Sequence, residues 1–131
     1  MMLAQGVRIV RAGEGDDVAK IVRTARDAAK ASGRDLVVYV GAPWCEPCQR
    51  FHKAAAHGDL DADFPTLTLL EFDAEGDGER LVGAGYTSKF VPLFALPDDT
   101  GHASSRRFEG SVKGDGAVGN ITPRLRALLA H

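Results

Sequence analysis

Residues 36–48 read Leu36-Val37-Val38-Tyr39-Val40-Gly41-Ala42-Pro43-Trp44-Cys45-Glu46-Pro47-Cys48. The first five are apolar without alternation and rich in β-branched side chains, which suits a central strand covered on both faces. Gly41-Ala42-Pro43 breaks that strand. From Cys48 to His57 the residues favour helix, and Gly58 closes it. Cys45 and Cys48 are the chain's two cysteines, and they stand where a buried strand hands over to a helix. A pair so close gains little as a stabilising staple, because loop entropy rewards distant partners. Its reason must be chemical.

Three effects converge on Cys45. Exposed backbone N–H groups and the positive end of the helix dipole stabilise a thiolate there. The thiol of Cys48 can donate a hydrogen bond to it. Two intervening residues in a first helical turn let the sulfurs reach bonding distance. Motifs of this kind lower the first cysteine's pKa to roughly 3.5–7.5, against ~8.5 for an unperturbed thiol. The pattern therefore predicts that Cys45 attacks a substrate disulfide and that Cys48, one turn on, resolves the mixed disulfide. Pro47 stiffens the loop at a position whose N–H would have no helical partner.

Working outward, Val7 to Val10 is strand-like and ends at Gly13 and Gly15. Asp16-Asp17 suits a helix start, and Val18, Ile21, Val22, Ala25, Ala28 and Ala29 recur at helical spacing until Ser32 and Gly33. Leu67 to Phe72 is a second buried strand, entered after Pro65. Between Gly76 and Gly85, Glu79 to Val82 looks helical but short. Val91 to Leu96 is a third apolar run, with Pro92 near its start. Pro97 to Gly101 signals a turn, from which Ser105 to Glu109 returns antiparallel as an edge strand. Arg106-Arg107 reads as a solubilising device on that edge. Gly114 to Gly119 reads as a connector, and Thr122-Pro123 as N-cap and first residue of a last helix carrying Leu125, Leu128 and Leu129. The order is β-α-β-α-β-α-β-β-α, which predicts one α/β domain over residues 1–131.

Composition agrees. The chain has 131 residues and 44% hydrophobic content, enough to bury a core. A formal charge of −2 lacks the field that nucleic-acid or anionic-membrane binding needs. No apolar run approaches the ~20 residues of a membrane span. Met1 to Val10 lacks a leader pattern, although the cysteine usage fits both a cytoplasmic protein and an exported one whose leader has been removed. For so small a domain, monomer is the default.

Trp44-Cys45-Glu46-Pro47-Cys48 resembles the active-site motif of the thioredoxin family. Val91-Pro92, following a segment that contains Tyr86, resembles the family's cis-proline loop. The resemblance runs from about Val7 to the last helix. It implies a thioredoxin-like fold, a mixed central sheet flanked by helices, and thiol–disulfide exchange with protein substrates and an upstream reductant. It carries the attacking role to Cys45 and the resolving role to Cys48. It also implies that Pro92 is cis and, with Val91, positions the substrate backbone, and it places Gly110-Ser111 near the substrate rim. No organic cofactor is required, because the dithiol stores two electrons.

Three departures stand out. Tyr39 occupies the position of the family's buried acid, six before Cys45, so proton transfer from Cys48 needs another route, through water or Glu46. Phe90 replaces a small glycine before the Val91-Pro92 pair and should reshape the peptide groove with Trp44 as an apolar rim. Glu46 adds negative charge beside Cys45, which favours a more reducing pair. Glu46-Pro47 also resembles the motif of membrane-tethered thioredoxins that reduce apocytochrome c, but only 43 residues separate Cys48 from Pro92, without that subfamily's insertion.

The alternative reading is a thioredoxin-fold module that captures a soft metal ion for delivery on the same cysteine pair. Cys48 and His52 share a helical face, so Cys-x-x-Cys-x-x-x-His could offer three ligands. Otherwise His52 and His57 read as solvated helix residues, His102 as a turn residue and His131 as terminal. Tyr39 and Phe51 read as core beneath the site.

Overall fold

The computed structural model describes residues 6–130; His131 and the first five residues of the leader reading lie outside the described residues. Along the chain come β1 (Arg8–Arg11), α1 (Val18–Ala31), β2 (Asp35–Gly41), α2 (Glu46–Ala56), β3 (Leu67–Asp73), α3 (Gly78–Val82), β4 (Leu93–Pro97), β5 (Ala103–Glu109) and α4 (Ala117–Leu129), with a 3-10 turn at Gly114–Gly116. The five strands form one sheet in the order β1-β3-β2-β4-β5. Strands β1, β3 and β2 run parallel, while β4 and β5 are antiparallel additions. Val38 at the centre faces Leu70 on β3 and Ala95 on β4. The fold is thioredoxin-like α/β.

The lack of alternation in β2 follows from its surroundings. The pleat sends Leu36, Val38 and Val40 to one face, where they join Val18 and Val22 of α1, Leu81 of α3 and Phe72 of β3. It sends Val37 and Tyr39 to the other face, onto Phe51 of α2 and Ile121 and Leu125 of α4. Helices cover both sides of the strand, so every position after the exposed Asp35 is buried and apolar side chains fill both faces. The N-terminus of α1 is capped by Asp17, whose carboxylate accepts the Lys20 N–H at 3.1 Å. Gly33, with φ +70°, turns the chain out of that helix.

The structure corrects four expectations. The last helix starts at Ala117, not at Thr122-Pro123. Ala117, Ile121, Leu125 and Leu128 form a buried stripe whose burial outweighs the one lost hydrogen bond at Pro123. The Gly119 carbonyl that Pro123 deprives of a donor belongs to an exposed residue, within reach of solvent. The Gly114 to Gly119 connector is thereby divided between the 3-10 turn and α4. The guanidinium groups of Arg106 and Arg107 do not merely dress the edge of β5. Arg106 Nη2 donates to the carbonyls of Ala127, Leu128 and Ala130 at 3.1, 2.9 and 2.7 Å, serving orphan acceptors at the end of α4. Arg107 donates to the carbonyls of Gly85 and Thr87. Finally, β4 begins at Leu93, since Val91 and Pro92 belong to the loop before it and Pro92 has no N–H for the ladder.

Candidate functional site

The site grows from the end of β2. Cys45 is the N-cap of α2, and its sulfur accepts the Cys48 N–H at 3.2 Å. The two cysteines are joined in a disulfide, with Cα atoms 5.2 Å apart. Cys45 Sγ also lies 3.5 Å from the Val91 carbonyl oxygen, across the gap to the loop before β4. The Val91–Pro92 peptide is cis, the isomer that the resemblance implies. Gly110, at the end of β5, donates its N–H to the Pro92 carbonyl at 2.8 Å and ties that loop down.

Cys45 is only 4% exposed, yet it borders a groove of about 660 Å³ whose walls include Trp44, Phe90, Val91, Lys89 and Lys113. Trp44 is 64% exposed and Phe90 51%. Large rings left this open cannot be explained as core. The Trp44 indole N–H donates to Glu75 Oε1 at 2.6 Å, which fixes one rim of the groove. On the opposite rim, Lys89 Nζ sits 5.6 Å above the Phe90 ring. Ser111 lines the groove and Pro92 lies buried beside it. Glu46 and Pro47 border it too.

A family model described as thioredoxin-like matches residues 19–96, more than half of the chain. The chain belongs to the thioredoxin-like family. No curated protein matches it. The match spans α1 to β4 and so takes in both the cysteine motif and Val91-Pro92. Together with the Cys45–Cys48 disulfide, membership supports thiol–disulfide oxidoreductase chemistry in general. Among the described residues, no helix is long and apolar enough to cross a membrane.

Within this thioredoxin-like protein, Glu46 turns out to be engaged. Its Oε1 accepts the Gly114 N–H at 2.6 Å and lies 3.5 Å from Arg50 Nε, while Arg50 Nη1 reaches Asp115 at 2.8 Å. The carboxylate beside Cys45 is thus partly offset by a guanidinium and links α2 to the turn before α4. The i,i+4 pair was open to sequence reading; the Gly114 and Asp115 contacts, made across the fold, were not.

Behind the disulfide lies a second space. Cys48 does not line the groove but borders a cavity of about 430 Å³ together with Tyr39, Gly41, His52 and Glu71. Tyr39, in the place of the family's acid, donates its hydroxyl to the Cys48 carbonyl at 3.3 Å. Burial, and then the charge of Glu71, push its phenol well above the ordinary value, so it stays protonated. Its ring packs with Phe51 and Phe94 at centroid distances of 5.6 and 5.3 Å, a floor under α2. His52 is more than a solvated helix residue, since its Nε2 is 3.3 Å from Glu71 Oε2. His57 pairs with Asp59 at 3.1 Å, and His102 Nδ1 meets the Thr100 hydroxyl at 2.8 Å. Among the described residues, no group of three or more His, Cys, Asp or Glu side chains is arranged to hold a metal ion. Sequence reasoning missed Glu75, Lys113 and the His52–Glu71 contact, because each depends on which loop or strand the fold lays beside α2.

Proposed function

We propose that this protein is a dithiol reductant of protein disulfides, able to work also in the isomerising direction, with Cys45 attacking and Cys48 resolving. The observation that carries the reading is the asymmetry of the pair: Cys45 borders the groove of Trp44 and Phe90, and Cys48 borders the cavity behind it. A polypeptide disulfide lying in the groove meets Cys45 first. The Cys45 thiolate attacks one substrate sulfur, forms a mixed disulfide and expels the other substrate sulfur as a thiolate. Cys48 then attacks Cys45 Sγ, closes the internal disulfide and releases the second substrate thiol. Two electrons have passed to the substrate, and an upstream reductant restores the dithiol. Val91 and Pro92 offer the backbone edge along which an extended substrate lies. Trp44 and Phe90 give its side chains an apolar rim.

The reducing direction is supported by what surrounds the Cys45 sulfur. Pro47 contributes no N–H to it, and Glu46 follows it directly. Both stabilise a thiolate less than the donors and cations of strongly oxidising pairs do, which favours the disulfide state of this protein and hence its use as a reductant. A single-domain reading is supported by the two larger core clusters, which lie on opposite faces of one sheet.

The test is trapping. Reduced protein should cleave the disulfides of a protein substrate, Cys48→Ser should accumulate an adduct on Cys45, and Cys45→Ser should do neither. Stoichiometric zinc or copper that shields both thiols from alkylation, with no exchange, would overturn the reading in favour of metal capture.

A further inference from the structure

Release of a mixed disulfide requires the Cys48 thiol to lose its proton, since the thiolate is the attacking form. Cys48 is 3% exposed and does not border the substrate groove. Tyr39 cannot accept the proton, because its hydroxyl already donates to the Cys48 carbonyl and burial keeps it protonated. Glu46, on the groove side, is held by Gly114 and Arg50. The cavity behind Cys48 offers another path. At about 430 Å³ it has room for several waters, each taking roughly 30 Å³ in the liquid, and its walls carry the polar partners that water needs.

His52 lies one helical turn beyond Cys48 on the same face of α2, a spacing that puts Cβ atoms about 5–6 Å apart, and both residues line the cavity. His52 Nε2 lies 3.3 Å from Glu71 Oε2, so the carboxylate stands beside the ring. Arg11 from β1, Lys53 from α2 and Asp73 from β3 are the other charged groups on the cavity walls.

We propose that the His52–Glu71 pair takes up the Cys48 proton through cavity water during substrate release, in place of the family's buried carboxylate. His52 is the acceptor and Glu71 its positioning residue. The step rests on the exchange reading above and balances without a further reagent. The Cys48 thiol gives its proton by way of water to His52, its electron pair forms the bond to Cys45 Sγ, the bond from Cys45 Sγ to the substrate sulfur breaks, and the substrate leaves as a thiolate.

The experiment is a single-turnover measurement in which reduced protein meets an excess of a peptide disulfide. Attack is timed in the Cys48→Ser background and release in the parent background. A positioned general base contributes roughly 10²–10⁴-fold, so His52→Ala should slow release by at least about tenfold. Attack should be unchanged, and imidazole added to solution should restore the release rate by entering the vacated cavity. Glu71→Gln should slow release in the same direction. Should His52→Ala disturb the fold, the bulkier His52→Gln, which packs but takes no proton, must show the same slowed release. Release within a few-fold of the parent in both His52 variants would overturn the relay. So would a slow release of His52→Ala that imidazole leaves untouched. Failure of the exchange reading would look different, because no adduct would form on Cys45 at all.

Discussion

Replacing Gly101 with alanine should be among the most damaging single-methyl changes available in this fold. Gly101 is buried in the turn between β4 and β5 and has φ +92°, a region that costs a non-glycine residue about 1 kcal/mol. A Cβ there would sit 1.9 Å from the Ala19 carbonyl oxygen and 3.0 Å from the Arg23 nitrogen, both backbone atoms of α1. Cβ contacts essentially never fall below 3.0 Å, so the turn and the helix must part by about 1.1 Å, and no side chain can swing aside to spare them. Overpacking of this kind costs about 1–3 kcal/mol. The same displacement strains the 2.7 Å bond from the buried Tyr86 hydroxyl to the Gly101 carbonyl, worth about 1–3 kcal/mol if the hydroxyl is left unpaired. The expected loss is about 3–7 kcal/mol from a total near 5–15 kcal/mol, with a melting point lower by roughly 10–25 °C.

Urea unfolding followed by circular dichroism should show a lower midpoint with an unchanged slope. Gly83→Ala is the matched comparison. Its φ is −62° and nothing lies within 4 Å of an added Cβ, so it should be neutral or up to about 1 kcal/mol more stable. The turn packs on the α1 face of the sheet, away from α2, and the folded fraction of Gly101→Ala should exchange thiols at the parent rate. A loss below about 1 kcal/mol in Gly101→Ala, or equal losses in the two variants, would refute the steric argument.

Three further outcomes are expected. Trp44→Ala should leave stability within about 0.5 kcal/mol, as surface changes usually do, while raising KM for a protein disulfide more than for a small aromatic one; equal effects on both substrates would remove the indole from the groove's recognition. Arg106→Ala should free three carbonyls at the end of α4, cost about 0.5–2 kcal/mol by analogy with other lost caps, and speed amide exchange in residues 126–130 without changing it in β2. Asp98 is held below the usual carboxylate range, chiefly by the Thr100 hydroxyl bond at 2.6 Å and then by the Thr100 and His102 N–H groups. A depressed carboxylate contributes stability that is present above its unfolded pKa and is lost as pH falls through the folded value. An NMR titration should therefore find the Asp98 midpoint below that of an exposed aspartate, and Thr100→Val should raise it.

Much of the fold was legible because one pattern dominates it. The unbroken, β-branched run Leu36 to Val40, closed by Gly41-Ala42-Pro43, suits a strand covered twice, and Cys45-Glu46-Pro47-Cys48 after it marks where α2 opens. The start of α4 was misread because Thr122-Pro123 is a strong local signal, whereas Ala117 and Ile121 become decisive only when the sheet lies against them. The roles of Arg106 and Arg107 were hidden for a similar reason. Their carbonyl partners stand 20 or more residues away along the chain. At the site, both cysteines, Trp44, Phe90 and the Val91-Pro92 pair were read from the motifs. The division of the two sulfurs between a groove and a separate cavity was not, because it depends on how β3 and the loop before β4 flank α2.

Thiol–disulfide exchange by this protein requires Cys45 to be an anion near neutrality, poised on the groove side of the pair. Ultraviolet titration of the reduced protein measures this directly through thiolate absorbance. One thiolate should already be formed at pH 8, kept in Cys48→Ser and lost in Cys45→Ser. Two thiols still protonated at pH 8, or a thiolate that survives in Cys45→Ser, would contradict it.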